Sequence, residues 1–230
     1  RKITFQEHVG TRYDEQMDAA YEILAFRSTA DTAQATVVTS VAIPLSALRR
    51  QSSAREGAFR LRLGIVDEGG RGSLLTDTVA SFALPDAPAS ALAAFHAEEE
   101  IRPGAFSYTL RMEGGDAALD RIRPVDPDDP TSAPVRAGSG AIASGRLNVP
   151  SFAGPEISMS SLAIGYTSRA ANTLQRYGAA LSLVPTHVLP PDARAVMYYE
   201  LYGIEEDTRV QTRIEVAPHD SDKDGLVIRF

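Results

Sequence analysis

The chain has 230 residues, of which 43% are hydrophobic and 23% are charged, and its formal net charge is −7. This length accommodates one large or two ordinary domains, and the apolar fraction argues against wholesale disorder. Because the basic residues are spread along an acidic chain, no nucleic-acid partner is predicted, since that would require a concentrated basic face.

After a polar lead-in, the chain alternates apolar and polar residues in the manner of β-strands. In chain order, the first half predicts strands at residues 21–27, 33–43, 58–66, 74–84, 95–101, 105–112 and 141–149. The turn Asp67-Glu68-Gly69-Gly70 predicts a hairpin, because glycine accepts the positive φ that tight turns need. Residues 87–97 are rich in alanine, so a helix is an alternative there.

Residues 114–140 differ from the rest of the first half, because they contain four prolines and five aspartates. Such a run buries little apolar surface, so we expect an extended surface loop or linker inserted before the strand at 141–149. The second half then predicts strands at residues 157–166, 179–184, 194–204, 208–216 and 226–230. About a dozen short strands without a long amphipathic helix indicate an all-β fold of the β-sandwich type.

The stretch 194–218 predicts a hairpin with an acidic turn, and its first strand is rich in tyrosine. Alternation places Tyr198, Glu200 and Tyr202 on one face, and the glutamate favours that face as the exposed one. We therefore predict these three residues, together with Leu226 and Ile228 of the last strand, as an interaction surface for other proteins.

A weaker copy of this hairpin lies near the start of the chain. Tyr21-Glu22-Ile23 resembles Tyr199-Glu200-Leu201, and each is followed by an Asp-Thr pair and by a strand that ends at Pro44 or Pro218. If the repeat is real, the later strands of the second copy are missing and its apolar face needs a cover. The first domain, residues beyond the end or another protein could supply that cover.

Several short motifs occur in the order found in one bacterial family. They are Val41-Ala42-Ile43-Pro44, Pro103-Gly104-Ala105-Phe106-Ser107-Tyr108, Asn148-Val149-Pro150-Ser151-Phe152, Ile157-Ser158-Met159-Ser160-Ser161-Leu162 and Tyr199-Glu200-Leu201-Tyr202. From about residue 20 onward, the chain resembles the C-terminal β-sandwich region of bacterial GWxTD-domain proteins and related exported modules. The naming motif itself is absent, because the chain has no tryptophan.

The resemblance implies two immunoglobulin-like β-sandwich domains in tandem, in an exported bacterial protein. It places domain one at residues 1–150, with the Pro/Asp-rich insertion at 114–140, and a second, incomplete domain at 151–230. The composition alone would instead put the boundary near Pro134. No catalytic residues are implied by the resemblance.

Candidate cofactor sites are few. Asp220, Asp222 and Asp224 precede Gly225 in the D-x-D-x-D-G pattern that opens a calcium-binding EF-hand loop. The glutamate of loop position 12 would fall after the last residue, so an acidic hairpin loop is the main reading and Ca²⁺ the alternative. The four histidines show no metal-ligand spacing, and no other cofactor or metal is predicted.

The chain has no cysteine, which rules out disulfides and thiolate sites, and it has no run of about 18 apolar residues that would predict a transmembrane segment. It begins with Arg1 rather than Met, so we expect a signal peptide or an anchor to have been removed upstream. The predicted location is extracytoplasmic, in the periplasm or at the cell surface, including the periphery of a membrane.

These features predict a non-catalytic accessory or scaffold subunit that binds other protein subunits through sheet faces and edges. One form of this hypothesis is a peripheral subunit of a membrane complex, respiratory or photosynthetic, although no residue selects the complex. A carbohydrate-binding module is an alternative, against which the lack of tryptophan counts. An enzyme whose site is assembled from distant loops is the other alternative.

Overall fold

The computed structural model describes residues 12–50, 53–88, 91–119, 122–123, 135–167, 173–186, 194–205, 209–211, 215–218 and 226–229. Strands dominate these ranges, which confirms the all-β prediction. The helical segments within them are the α-helix α1, Leu45–Leu48, and a 3₁₀ helix, Gly115–Leu119. No helix in the described ranges is long and apolar enough to cross a membrane.

The strands of the first part, in chain order, are β1 (Arg12–Gln16), β2 (Ala20–Arg27), β3 (Ala35–Pro44), β4 (Arg49–Arg50), β5 (Ser53–Asp67), β6 (Gly72–Ala83), β7 (Leu92–Ile101), β8 (Gly104–Gly114), β9 (Ile122–Arg123) and β10 (Val135–Val149). They are followed by β11 (Ser158–Met159), β12 (Ala163–Thr167), β13 (Leu174–Arg176), β14 (Ala179–Leu183), β15 (Ala195–Tyr198), β16 (Leu201–Tyr202), β17 (Glu215–Pro218) and β18 (Leu226–Arg229).

Three sheets carry the core. The seven-stranded sheet has the order β1-β10-β8-β5-β4, with β6 paired to β5 and β9 paired to β10. The central sheet has the order β2-β3-β7, and the four-stranded sheet has the order β13-β14-β12-β15. Two further pairs, β11–β16 and β17–β18, complete the pairing within the described ranges.

The central sheet packs on both of its faces, as strand β3 illustrates. On one face, Val41 and Ile43 belong to an apolar cluster that also contains Leu61 of β5. On the other face, Val38 belongs to a cluster with Leu174 and Leu183 of the four-stranded sheet. Every residue of β3 before Pro44 is buried. The three sheets therefore form three layers, with β3 at the centre.

The hairpin predicted around Asp67-Glu68-Gly69-Gly70 is confirmed. Strand β5 pairs with β6 in an antiparallel register from Glu56 to Val66. The turn is closed by the N–H of Gly70, which donates to the carbonyl oxygen of Asp67 at 2.9 Å, and Gly70 has the positive φ of 75° that favours glycine. The predicted apolar face of the strand is buried, at Phe59, Leu61, Leu63 and Ile65.

The structure corrects two expectations for the first half. The alanine-rich stretch forms strand β7 at residues 92–101, so the helical alternative is wrong there. The expected loop at 114–140 is wrong at both ends, because β8 runs to Gly114, the 3₁₀ helix follows it, and β10 begins at Val135. The start of β10 packs closely against the end of β8 and the 3₁₀ helix because residue 138 is glycine. A Cβ on Gly138 would lie 2.8 Å from the backbone of Gly114 and of Ala117, so a larger residue would prevent this approach.

The hairpin predicted at 194–218 is also wrong. Strand β15 pairs with β12 and β16 pairs with β11, whereas β17 pairs with β18. The alternation of apolar and polar residues specifies which face of a strand is buried, but it does not specify which other strand is its hydrogen-bonded neighbour. The proposed first copy of the repeat, by contrast, does form a hairpin of β2 and β3.

The predicted domain boundary at residue 150 follows directly after β10, but apolar packing crosses it. One cluster contains Leu24, Phe26 and Val38 together with Ala163 and Leu174. The first part of the chain therefore covers apolar side chains of the second part, as one of the three expected covers would do. The division into two immunoglobulin-like domains stays a prediction.

Candidate functional site

Strand β2 is the edge of the central sheet, and residues from the second part of the chain bind its outward backbone groups. The N–H of Ala25 donates to Ser161 Oγ at 2.8 Å, and the N–H of Ser161 donates to the carbonyl oxygen of Ala25 at 2.9 Å. At Arg27, the N–H donates to Tyr202 Oη at 2.8 Å and the carbonyl oxygen accepts from Arg176 Nη2 at 2.7 Å. At Ala25 and Arg27 this edge is thus closed within the chain.

Glu200 holds these side chains in place. Its Oε1 accepts from Arg176 Nε at 2.8 Å and from the Tyr198 hydroxyl at 2.7 Å. Its Oε2 accepts from Arg176 Nη2 at 2.9 Å and from the Tyr202 hydroxyl. Both carboxylate oxygens are therefore fully occupied. We call Ser161, Arg176, Glu200 and Tyr202 the β2 clamp.

The β2 clamp is a buried, charged network in which each ionisable group is stabilised by the others. Arg176 is 4% exposed and Glu200 is 8% exposed. Burial by itself raises the pKa of Glu200, but the hydrogen bonds from Arg176, Tyr202 and Tyr198 outweigh it and hold that pKa below its ordinary value. Burial, reinforced by the hydrogen bond to Glu200, raises the pKa of Tyr198 and that of Tyr202. The carboxylate stays ionised and the tyrosines stay protonated at neutral pH.

The structure brings together three of the predicted interaction residues, but the expectation that their face is exposed is wrong. Tyr202 is 3% exposed and Glu200 is 8% exposed. The reason is non-local: Arg176 comes from β13, 24 positions before Glu200, and pairs with it inside the protein. Arg176 was missed because no spacing rule connects it to the tyrosines. A glutamate with tyrosines two positions before and after it was the available signal for a buried carboxylate.

The other predicted site residues lie near the end of the chain. Leu226 and Ile228 belong to β18, where they pair in register with Pro218 and Val216 of β17. Asp220, Asp222 and Asp224 lie outside the described residues, so calcium binding there stays a prediction. In the part of the chain that the structure describes, no group of three or more histidine, aspartate or glutamate side chains could hold a metal ion.

A second buried charged cluster lies on the outer face of the seven-stranded sheet. Glu113 is fully buried, and Tyr13 donates to its Oε1 at 3.0 Å. Arg62 Nη2 lies 3.7 Å from Glu113 Oε2, and Arg111 Nη1 lies 3.9 Å from its Oε1. The Tyr13 ring crosses Gly140, the register partner of Glu113, at a position where a Cβ would overlap it. The arrangement joins β1 to the sheet.

A cleft of about 690 Å³ opens at one end of the sheets, between the β5–β6 turn and the β7–β8 turn. Asp67, one of its lining residues, accepts from the backbone N–H of Arg71 at 2.8 Å and from Arg71 Nε at 3.1 Å. The backbone hydrogen bond from Arg71 is the main cause that lowers the pKa of Asp67. This carboxylate therefore stabilises its own turn.

Among the described strands of ten residues or more, three present an edge without a second strand partner along part or all of their length. Strand β6 pairs with β5 from Gly72 to Ala83, and no other strand of the described ranges pairs with it. Strand β7 pairs with β3 on one side. Strand β10 pairs with β8, and with β1 only as far as Gly140. Of these, β6 is open along its whole length, and its Leu74 and Val79 are 42% and 48% exposed.

Comparisons of the chain with protein-family models, with curated proteins and with solved structures found no match. The resemblance to the β-sandwich region of GWxTD-domain proteins therefore stays a prediction from the motifs alone.

Proposed function

We propose that the protein is a non-catalytic, extracytoplasmic accessory or scaffold subunit that binds other proteins through the open edge of β6. The observation that carries this proposal is the contrast between two edges. The edge of β2 is closed by Ser161, Tyr202 and Arg176, whereas the 12-residue edge of β6 is left open by the described residues.

An open edge supports protein binding for a physical reason. Its unpaired N–H and C=O groups form a template on which an extended segment adds as a further strand, and main-chain hydrogen bonds then supply affinity. Exposed apolar side chains beside that template, here Leu74 and Val79, add contact area. An edge of this length that no described strand covers favours an interaction role over a passive surface.

A structural role for the buried charged groups supports the non-catalytic part of the proposal. The carboxylate of Glu200 is occupied by Arg176, Tyr198 and Tyr202, and the groups around it hold its pKa low. A general acid or base at neutral pH needs a pKa near the operating pH. The pKa of Glu200 is instead lowered, which moves it further from neutral pH.

Site-specific photo-crosslinking in the cells that produce the protein tests this function. A photoreactive phenylalanine at position 79 in β6 is compared with one at Ile157, which is 65% exposed in the segment before β11. We expect position 79 to give discrete adducts with a protein of the cell envelope, in the extracytoplasmic fraction, and position 157 to give none. Absence of any adduct from position 79, or recovery of the protein in the cytoplasmic fraction, would contradict the proposal.

A further inference from the structure

We infer that the β6 edge binds β6 of a second copy of this chain, in an antiparallel arrangement with two-fold symmetry. The two seven-stranded sheets would then join into one continuous sheet across the dimer. This inference rests on the proposed function, because it names a second copy of the chain as the protein that the same edge binds.

The charge of β6 is compatible with pairing between two copies. Asp77 is the one charged residue of β6, and arginines of the neighbouring strand neutralise it. Arg60 binds both of its oxygens, at 2.6 and 2.9 Å, and Arg62 Nε lies 3.4 Å from Oδ1. An edge whose single charge is already paired can face an identical edge without like-charge repulsion.

The edges of β7 and β10 differ from that of β6 in their charges. Strand β7 carries three consecutive glutamates, Glu98, Glu99 and Glu100, and the second half of β10 carries the exposed Arg146. Charged side chains are a common protection of sheet edges, because like charges directly opposite each other destabilise pairing. Self-pairing is therefore disfavoured at β7 and β10, while β6 has neither lysine nor proline to prevent it.

The residues of β6 also favour one register of the pairing. A two-fold axis at Val79 places this side chain, which is 48% exposed, opposite its own copy and places Asp77 opposite Ser81. An axis at Asp77 would instead put two carboxylates opposite each other, which is unfavourable. A two-fold interface uses the same surface on both copies and closes on itself. The occupant is thus a second copy, and the product is a dimer.

The chain has no cysteine, so a single V79C substitution gives a sensitive test of this register. Facing residues of an antiparallel pair have Cα atoms about 4.5 to 5.5 Å apart, which is compatible with a disulfide. Under oxidation by diamide, we expect V79C to form a disulfide-linked dimer at micromolar concentration. The matched control is I142C, on the β10 edge of the same sheet, where residue 142 is 40% exposed; it should stay uncrosslinked.

Sedimentation of the unlinked protein gives the second measurement. V79K and V79D should each raise the dissociation constant of the dimer by about tenfold or more, since each puts like charges opposite each other. An equimolar mixture of the two variants should restore dimers, and I142K should behave as the wild type. Circular dichroism checks that each variant is folded, and V79C, which differs little in size from the wild type, covers the case that a charged variant is not.

Several outcomes would overturn the inference. They are a wild type that is monomeric at all micromolar concentrations, a crosslink through I142C in place of V79C, or polymers that grow with concentration. A monomeric wild type whose position 79 still crosslinks to another protein would remove the second copy and leave the proposed function standing. A monomer without any adduct would remove both.

Discussion

Arg176 and Glu200 form a bidentate ion pair inside the protein, with Nε–Oε1 and Nη2–Oε2 distances of 2.8 and 2.9 Å. The same Arg176 Nη2 donates to the carbonyl oxygen of Arg27, so the pair also closes the edge of strand β2. A buried ion pair contributes little by itself relative to apolar packing, but removing one partner leaves the other charge uncompensated. The pair therefore joins the second part of the chain to strand β2 of the first.

Removal of the carboxylate charge is predicted to destabilise the protein strongly. E200Q keeps the shape of the side chain but leaves the guanidinium of Arg176 buried without a counter-charge, which costs about 3 to 5 kcal/mol in the free energy of unfolding. E205Q, at an exposed glutamate, is the control and should change it by less than about 0.5 kcal/mol. Urea denaturation followed by circular dichroism measures both. Equal stability of the two variants would contradict the account.

The stability that Glu200 confers should depend on pH in a defined direction. Its pKa is lower in the folded protein than the ordinary value of 4.5, so its contribution is present above pH 4.5 and is lost as the pH falls through the folded-state pKa. The difference in unfolding free energy between the wild type and E200Q should therefore be constant near neutral pH and shrink in acid. Asp31, Asp67 and Asp77 also have lowered pKa values, but both proteins retain them, so the difference isolates Glu200. A difference that grows in acid would show the opposite linkage.

A methyl group at residue 140 should detach strand β1. The ring of Tyr13 lies where the Cβ of G140A would be, so the tyrosine must move and lose its hydrogen bond to the buried Glu113. We expect a loss of about 1 to 3 kcal/mol in the free energy of unfolding. G64A is the matched control, since its Cβ would meet nothing closer than 3.9 Å. If G140A is as stable as G64A, Tyr13 does not cross this glycine in solution.

The two parts of the chain should unfold together, because they share one apolar cluster. L174A removes a fully buried side chain of the four-stranded sheet that packs with Phe26 and Val38 of the central sheet. The expected loss is about 2 to 5 kcal/mol, in a single transition seen equally by probes in β5 and in β14. L92A, at a residue that is 52% exposed in β7, should cause little change. Two separate transitions, with only the β14 probe affected by L174A, would favour independent domains.

The sequence predicted the strands that are specified by local alternation. Residues 58–66 alternate because their two faces meet different environments, and the turn glycines fix the partner strand as well. The segment 194–218 also alternates, yet its strands pair with β11, β12 and β18 rather than with each other. Without a short turn that fixes the neighbour, alternation leaves the pairing undetermined.

The clamp could be predicted only in part for a related reason. Their period of two places Tyr198, Glu200 and Tyr202 on one face, but their burial depends on Arg176 and on the backbone of Arg27, which lie far away in the chain. A carboxylate on a strand is usually exposed. The burial of Glu200 follows only from its ion pair with Arg176, which the fold brings next to it.

The central claim is that the β2 edge is closed within the chain and that the β6 edge pairs with another chain. Hydrogen–deuterium exchange of the wild-type protein tests it most directly, when it is followed by mass spectrometry at several protein concentrations. Peptides from β2 should be protected at every concentration, because Ser161, Tyr202 and Arg176 bind its backbone. Peptides from β6 should exchange at low concentration and gain protection as the concentration rises into the micromolar range. Protection of β6 that does not change with concentration, or exchange of β2 as fast as that of β6, would contradict the account.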